Sequence, residues 1–206
     1  MTITKITEIS KSRVQIITDE EFAFVLYKGE LRNYKITEGK DIDKSIYDEI
    51  FVNVLPKRAK LRGMSLLKSR PYTEKQMYDK LKQGGYPDTV ADIAVEYFKS
   101  FGYIDDLRYA RDYIDYHSEG RSRKRLEQDL LQRGIGKSDI KEAFDNWHNE
   151  GGVIDELALI RELLIKKSYS GETSDIKEKQ RMMAFLFRKG FSADNIQKAL
   201  NCDELS

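Results

Sequence analysis

Few residues in this chain are of types that could carry out chemistry. In GYIDDLRYARDYI, residues 102 to 114, Asp105 and Asp106 stand side by side ahead of a run with helical period. Paired carboxylates can share a proton or hold a metal, but either role needs a partner acid, base or ligand at fixed distance, and none accompanies them. His117 and His148 are far apart and lack ligand companions, and Cys202, the only cysteine, reads as a small terminal hydrophobe. No glycine-rich phosphate loop and no Ser/His/Asp signature is present. The sequence therefore predicts a non-enzyme without cofactor or metal. What remains is the basic residues, whose chemistry is the attraction of anions.

PKRAKLRGMSLLKSR places Lys57, Arg58, Lys60, Arg62, Lys68 and Arg70 in one stretch with no acid. GRSRKRLEQDLLQR places Arg121, Arg123, Lys124, Arg125 and Arg133 against only Glu127 and Asp129. A third, more dilute set holds Lys166, Lys167, Arg181, Arg188 and Lys189. A helix opening with RSRKR sets cations against its own dipole, a cost that an incoming phosphate would turn into an attraction, since exposed N–H groups also suit an anion there. Contacts of this kind position a phosphate backbone rather than read bases. A solvated face is the competing reading of any charge run. Tyr72, Tyr86, Tyr97, Tyr103, Tyr109, Tyr113 and Tyr116 could stack on bases, but their helical spacing favours the core.

The elements that must position these residues emerge from periodicity. RVQIIT and FAFVLY are β-branched and aromatic, and YKGELRNYKI sets Gly29 between two such runs as a hairpin turn would, so the first residues predict a small antiparallel sheet. Beyond Asp43 the pattern is helical. It also repeats: GYIDDLRYARDYI lies over GVIDELALIRELL, from residue 152, without a gap at an offset of 50 residues. Three further blocks align on Gly85, Gly134 and Gly190, each followed by an apolar residue and, eight positions later, by Ala94, Ala143 or Ala199. Each block reads as a helix closed by a C′ glycine, a linker, and a helix whose alanine permits close packing. The predicted fold is mainly α, three tandem three-helix repeats after a small β element. Its expected divisions are 1–42 for the β element, 43–101 for a helical lead-in and repeat 1, 102–151 for repeat 2 and 152–206 for repeat 3.

Recurrence also assigns the aspartates. Asp105 and Asp155 are expected as N-caps and Asp106 as a first-turn acid, favoured by the dipole, with Ile104 stapled onto Tyr109. A device needed once per repeat is architectural, whereas an active site is needed once. Trp147 is expected to pack between units.

Composition narrows the partners little, because 36 Lys and Arg nearly cancel 35 Asp and Glu. Residues 1 to 56 hold 8 basic and 10 acidic side chains, so any anionic partner should favour residues 57 to 206. No signal-peptide core and no spanning apolar run is visible, which predicts a cytoplasmic protein without membrane contact.

The stretches SRPYTEKQMYDKLKQGGYPDTVADIAVEYFKSFGYIDD, FGYIDDLRYARDYI, SEGRSRKRLEQDLLQRGI, IKEAF and FLFRKGFSADNIQKAL resemble, in this order over roughly residues 56 to 202, the RecX regulatory proteins. The resemblance implies three tandem three-helix repeats in an extended, curved array. It also implies a non-enzymatic modulator that lies in the groove of the RecA filament on single-stranded DNA, mainly inhibiting ATP hydrolysis, strand exchange and coprotease activity in DNA repair, recombination and the SOS response; a monomer is expected. The residues expected to contact DNA or RecA are Lys57, Arg58, Lys60, Arg62, Arg121, Arg123, Lys124, Arg125, Arg133, Lys166, Lys167, Arg188 and Lys189. Charge reversal at Arg123, Lys124 and Arg125 is expected to spare the fold and weaken filament binding. Two other readings stay open: a direct DNA-binding module of helix-turn-helix type, and a helical-repeat scaffold for another protein.

Overall fold

Strands β1 (Ile3–Glu8), β2 (Arg13–Thr18) and β3 (Ala23–Tyr27) form an antiparallel sheet in sequence order. The computed structural model describes residues 1–19, 23–170 and 175–201, so Cys202 and part of the linker SYSGETSDIKEKQ lie outside the described residues. Alternation along β2 is the period of a half-buried strand: Val14, Ile16 and Thr18 turn inward while Arg13 stays exposed. The register sets Val14 opposite Leu26 and Ile16 opposite Phe24, so buried residues face buried residues.

The hairpin expected at Gly29 does not form. Residues Lys28–Asn33 are instead a short helix, α1, because Glu30 reaches back to accept the Tyr27 N–H at 2.8 Å and so supplies a helix start directly after β3. Gly29 faces open space and turns nothing.

Next, α2 (Lys44–Asp48), capped by Asp43, runs through a π-helical turn at Glu49–Val54 into α3 (Leu55–Leu67). Helices α4 (Glu74–Gln83) and α5 (Asp88–Ser100) come after it. Residues Met1–Asp105 make one compact unit, and its sheet and helices share a single core. Phe24 from β3 meets Phe51 edge-on at 5.0 Å, and Leu26 and Ile16 are buried with Leu55, Leu81 and Phe98. The N-terminal sheet thus completes the core of the first three-helix repeat.

Glycine is required where helices meet here. Gly63 lies inside α3, where it costs about 1 kcal/mol relative to alanine, yet a Cβ at this position would run into the ring of the fully buried Phe98. Gly63→Ala should therefore destabilise the chain by about 1 to 2 kcal/mol despite its better helix propensity, read as a lower denaturant midpoint with unchanged slope. A variant as stable as the parent would show that Phe98 can give way.

Residues Asp106–Ser206 form the second unit. Its helices are α6 (Asp106–His117), α7 (Arg123–Gln132), α8 (Lys137–Asn149), α9 (Glu156–Lys166), α10 (Ile176–Arg188) and α11 (Ala193–Asn201). The first three gather around Ile114, Leu126, Leu130 and Phe144, the last three around Ile160, Leu164, Leu186 and Ile196.

The aligned glycines behave alike. Gly85, Gly134 and Gly190 have φ of +86, +91 and +90°, and the apolar residue after each sends its N–H back to a buried leucine: Tyr86 to Leu81, Ile135 to Leu130, Phe191 to Leu186. This is the glycine closure of a helix C-terminus, made three times. Ala94, Ala143 and Ala199 are all buried. Ile104 is buried in the core of the first unit, while Tyr109 lines that of the second. Trp147 belongs to the core of the second repeat, donates its indole N–H to Asp115 at 3.0 Å, and lies against Gly152. Not all tyrosines are core: Tyr72 and Tyr113 are buried, but Tyr116 is 82% exposed and Tyr103 48%.

Candidate anion-binding interface

In the first basic stretch the cations take different surroundings. Arg58 is turned inward, ion-paired with Glu30 and stacked over Tyr27 at 4.7 Å, so its charge is already answered. Lys60 stands over the Tyr97 ring at 4.4 Å, and Lys57 and Arg62 are exposed. Arg62 looks into a cleft of about 660 Å³ whose lining also includes Arg13 of β2, Lys80 of α4, Tyr27 and Tyr86. Sequence reasoning missed Arg13 and Lys80. Arg13 sits at an outward position of a strand, and only the docking of the sheet onto α3 and α4 gives that position meaning.

In the second stretch the N-terminus of α7 is occupied from within the chain. Ser122 accepts the Arg125 N–H and donates to the Lys189 carbonyl at 2.8 Å, and Glu156 of α9 accepts the Arg123 N–H at 3.2 Å and the Asn195 side-chain amide at 2.9 Å. The expectation that a phosphate would fill this helix start is corrected: a carboxylate does so, offsetting the cost of cations against the dipole. Arg123 is further held by Glu127 at 3.0 Å and lies over Phe144 at 4.4 Å.

Asp129, on the next turn of α7, organises the cations around it. It is 7% exposed and accepts from Arg121 at 2.6 Å, from Arg125 at 3.1 Å and from the Tyr113 hydroxyl at 3.3 Å. The two guanidiniums so held line one side of a cleft of about 440 Å³, and Arg188 and Lys189, at the end of α10, line the other above Leu163, Phe185 and Phe191. Cations separated by more than sixty residues in sequence thus meet across one cleft. Lys124 stands beside it over Phe187 at 5.7 Å.

The remaining predicted cations lie elsewhere. Arg133 is drawn inward over Tyr113 at 4.6 Å and donates to the Tyr109 hydroxyl at 3.3 Å. Lys166 pairs with Glu162 at 3.4 Å, and Lys167 lies over Phe185 at 5.5 Å. Asp155 accepts the Ala158 N–H at 2.9 Å at the start of α9; Asp105 directly precedes α6, and Asp106 occupies its first turn.

His117 packs on Tyr113 at 4.3 Å, and burial, with the nearby Arg121 and Arg133 as the lesser causes, holds its imidazolium below the ordinary value of 6.5. The unfolded chain then binds more protons near that pH. The contribution to stability is full above about pH 6.5 and is lost as pH falls through the depressed folded value. The melting temperature should drop between pH 7 and 5, and His117→Gln should flatten that drop. An equally steep drop in the variant would assign it to other groups.

Residues 59–98, 105–143 and 154–200 match, in that order, the first, second and third three-helix domains of RecX. Regulatory protein RecX of Caldanaerobacter subterraneus subsp. tengcongensis is 32% identical over 98% of this chain and 99% of its own length. The chain belongs to the RecX family. Regulatory protein RecX of Bacillus velezensis is 30% identical over 98% of this chain and 77% of the relative. A crystal structure of a regulatory protein RecX shares the fold with a TM-score of 0.61 at 24% identity, over 96% of this chain and 98% of the other. RecX from Lactobacillus salivarius gives 0.57 at 19% identity, over 74% of this chain and 98% of the other.

Set against the RecX domains, the 440 Å³ cleft is built where the second meets the third. The 660 Å³ cleft joins the first RecX domain to the sheet, which precedes every matched span. Among the described residues no helix is long and apolar enough to cross a membrane.

Proposed function

We propose that this chain modulates the RecA recombinase by binding its filament on single-stranded DNA and restraining ATP hydrolysis, strand exchange and coprotease activity during repair and recombination. The observation that carries the reading is the ordered match to all three RecX domains in a chain aligned over nearly its whole length with a regulatory protein RecX. In this reading it is a cytoplasmic, non-enzymatic protein, and the cleft between the second and third domains supplies the cations that meet DNA phosphate or an acidic face of the recombinase. Tandem units add modest contacts through effective concentration, so no single strong site is required.

The test is the steady-state ATPase rate of RecA on single-stranded DNA as the chain is titrated from far below one copy per recombinase protomer. Inhibition at low ratios is expected. An unchanged rate at every ratio, with the chain folded, would overturn the reading, and duplex binding without recombinase would then favour a direct DNA-binding module.

A further inference from the structure

We propose that the cleft bounded by β2, α3 and α4 is a separate binding site for single-stranded nucleic acid, with Arg13, Arg62 and Lys80 on the phosphates and Tyr27 and Tyr86 against the bases. This goes beyond the recombinase reading and does not rest on it. Its volume, about 660 Å³, is in the range of ligand clefts, and no carboxylate is among its lining residues. Arg13 and Arg62 pair with no acid among the described residues, and Lys80 bonds only the neutral Gln83, at 3.1 Å. Arg58, by contrast, is tied to Glu30 and backs the Tyr27 ring, and Tyr27 as a whole remains 47% exposed. The fields of the cleft cations converge on a single hydroxyl: burial, then Tyr27, hold the Tyr86 pKa above its ordinary value, and Arg58, Arg62 and Arg13 pull it the other way.

The arrangement suits a strand rather than a compact anion. Its cations come from three elements, spread as phosphodiesters are spread, at one charge per nucleotide. The lining also includes Gln83 and Gly84, at the C-terminal end of α4, where the helix carbonyls oppose the concentrated charge of a di- or triphosphate. Aromatic rings beside a basic groove accept any base, so the binding should be independent of sequence.

The experiment is fluorescence anisotropy of labelled oligothymidylate with the full chain and no recombinase, across a salt series. Arg13→Glu with Lys80→Glu, both at exposed positions, should weaken binding about tenfold or more and lower the slope of log affinity against log salt by about 1.4, two phosphates' worth for a single strand. Lys5→Glu in β1 with Lys11→Glu in the turn between β1 and β2, both outside the cleft lining, should change affinity far less. Unchanged affinity and slope in the Arg13/Lys80 variant, with its circular dichroism preserved, would overturn the site. Thymidine monophosphate competing as well as the oligomer, nucleotide for nucleotide, would overturn the strand as its occupant.

Discussion

Asp129→Ala is expected to cost the 206-residue chain about 2 kcal/mol, a fall of about 4 to 8 °C in melting temperature, and to disorder one wall of the cleft between the second and third domains. The reason lies in how unequally this group and its partners are exposed. The Asp129 side chain is 9% exposed, whereas those of Arg121 and Arg125 are 36% and 48% exposed. Removing the carboxylate lets both guanidiniums recover water, which holds the loss below the cost of breaking a fully buried pair, about 3 to 5 kcal/mol. It also removes the acceptor that keeps them side by side, and Tyr113 loses the anion its hydroxyl meets. Asp129→Asn preserves shape and should fall between parent and alanine in stability. Binding by Asp129→Asn should resemble that by the alanine variant, because the charge is what gathers the arginines. Thermal unfolding followed at Trp147, the only tryptophan and part of the same core, reads the stability term directly. An alanine variant with unchanged melting would mean the carboxylate contributes nothing net beyond its own desolvation.

The repeat architecture was legible because it rests on local rules stated several times over. A glycine at positive φ, an apolar residue sending its N–H back to a buried leucine, and an alanine eight residues on are features of single segments, and alignment of the blocks exposes them. Gly29 misled for the complementary reason. A glycine between two apolar runs signals a turn only while no helix start competes, and Glu30 supplies one by bonding the Tyr27 N–H. The basic stretches were visible as composition, but composition does not say which cations are already answered. Arg58 meets Glu30 across 28 positions, and Glu156 reaches the Arg123 N–H across 33. Such pairings exist only after the elements have packed. The same holds for Arg13, whose charge matters once the sheet is docked on α3 and α4.

This distinction changes which variant best probes the filament-binding surface. Reversing Arg123, Lys124 and Arg125 is expected to leave the fold intact, yet Arg125 sits 3.1 Å from the nearly buried Asp129, and a glutamate there would take away one of its two arginine partners and set a like charge beside it. Loss of binding in that variant would confound a damaged core with a lost contact. Lys124, Arg188 and Lys189 pair with no carboxylate among the described residues, and all three are exposed. Reversing these three should leave the melting temperature within a few degrees of the parent, since surface substitutions usually change stability by about 0.5 kcal/mol or less. Affinity for recombinase filaments on single-stranded DNA should fall about tenfold or more, with a shallower dependence on salt. Lys137→Glu and Lys141→Glu on α8 with Lys198→Glu on α11, all exposed and outside the cleft, control for the change in net charge. If the control weakens binding as much as the cleft variant does, the attraction belongs to the chain's overall charge. A selective loss instead locates it where the second and third domains bring their cations together, and a loss without any change in salt slope would place an aromatic or apolar contact, such as Phe187 beneath Lys124, at the centre of that surface.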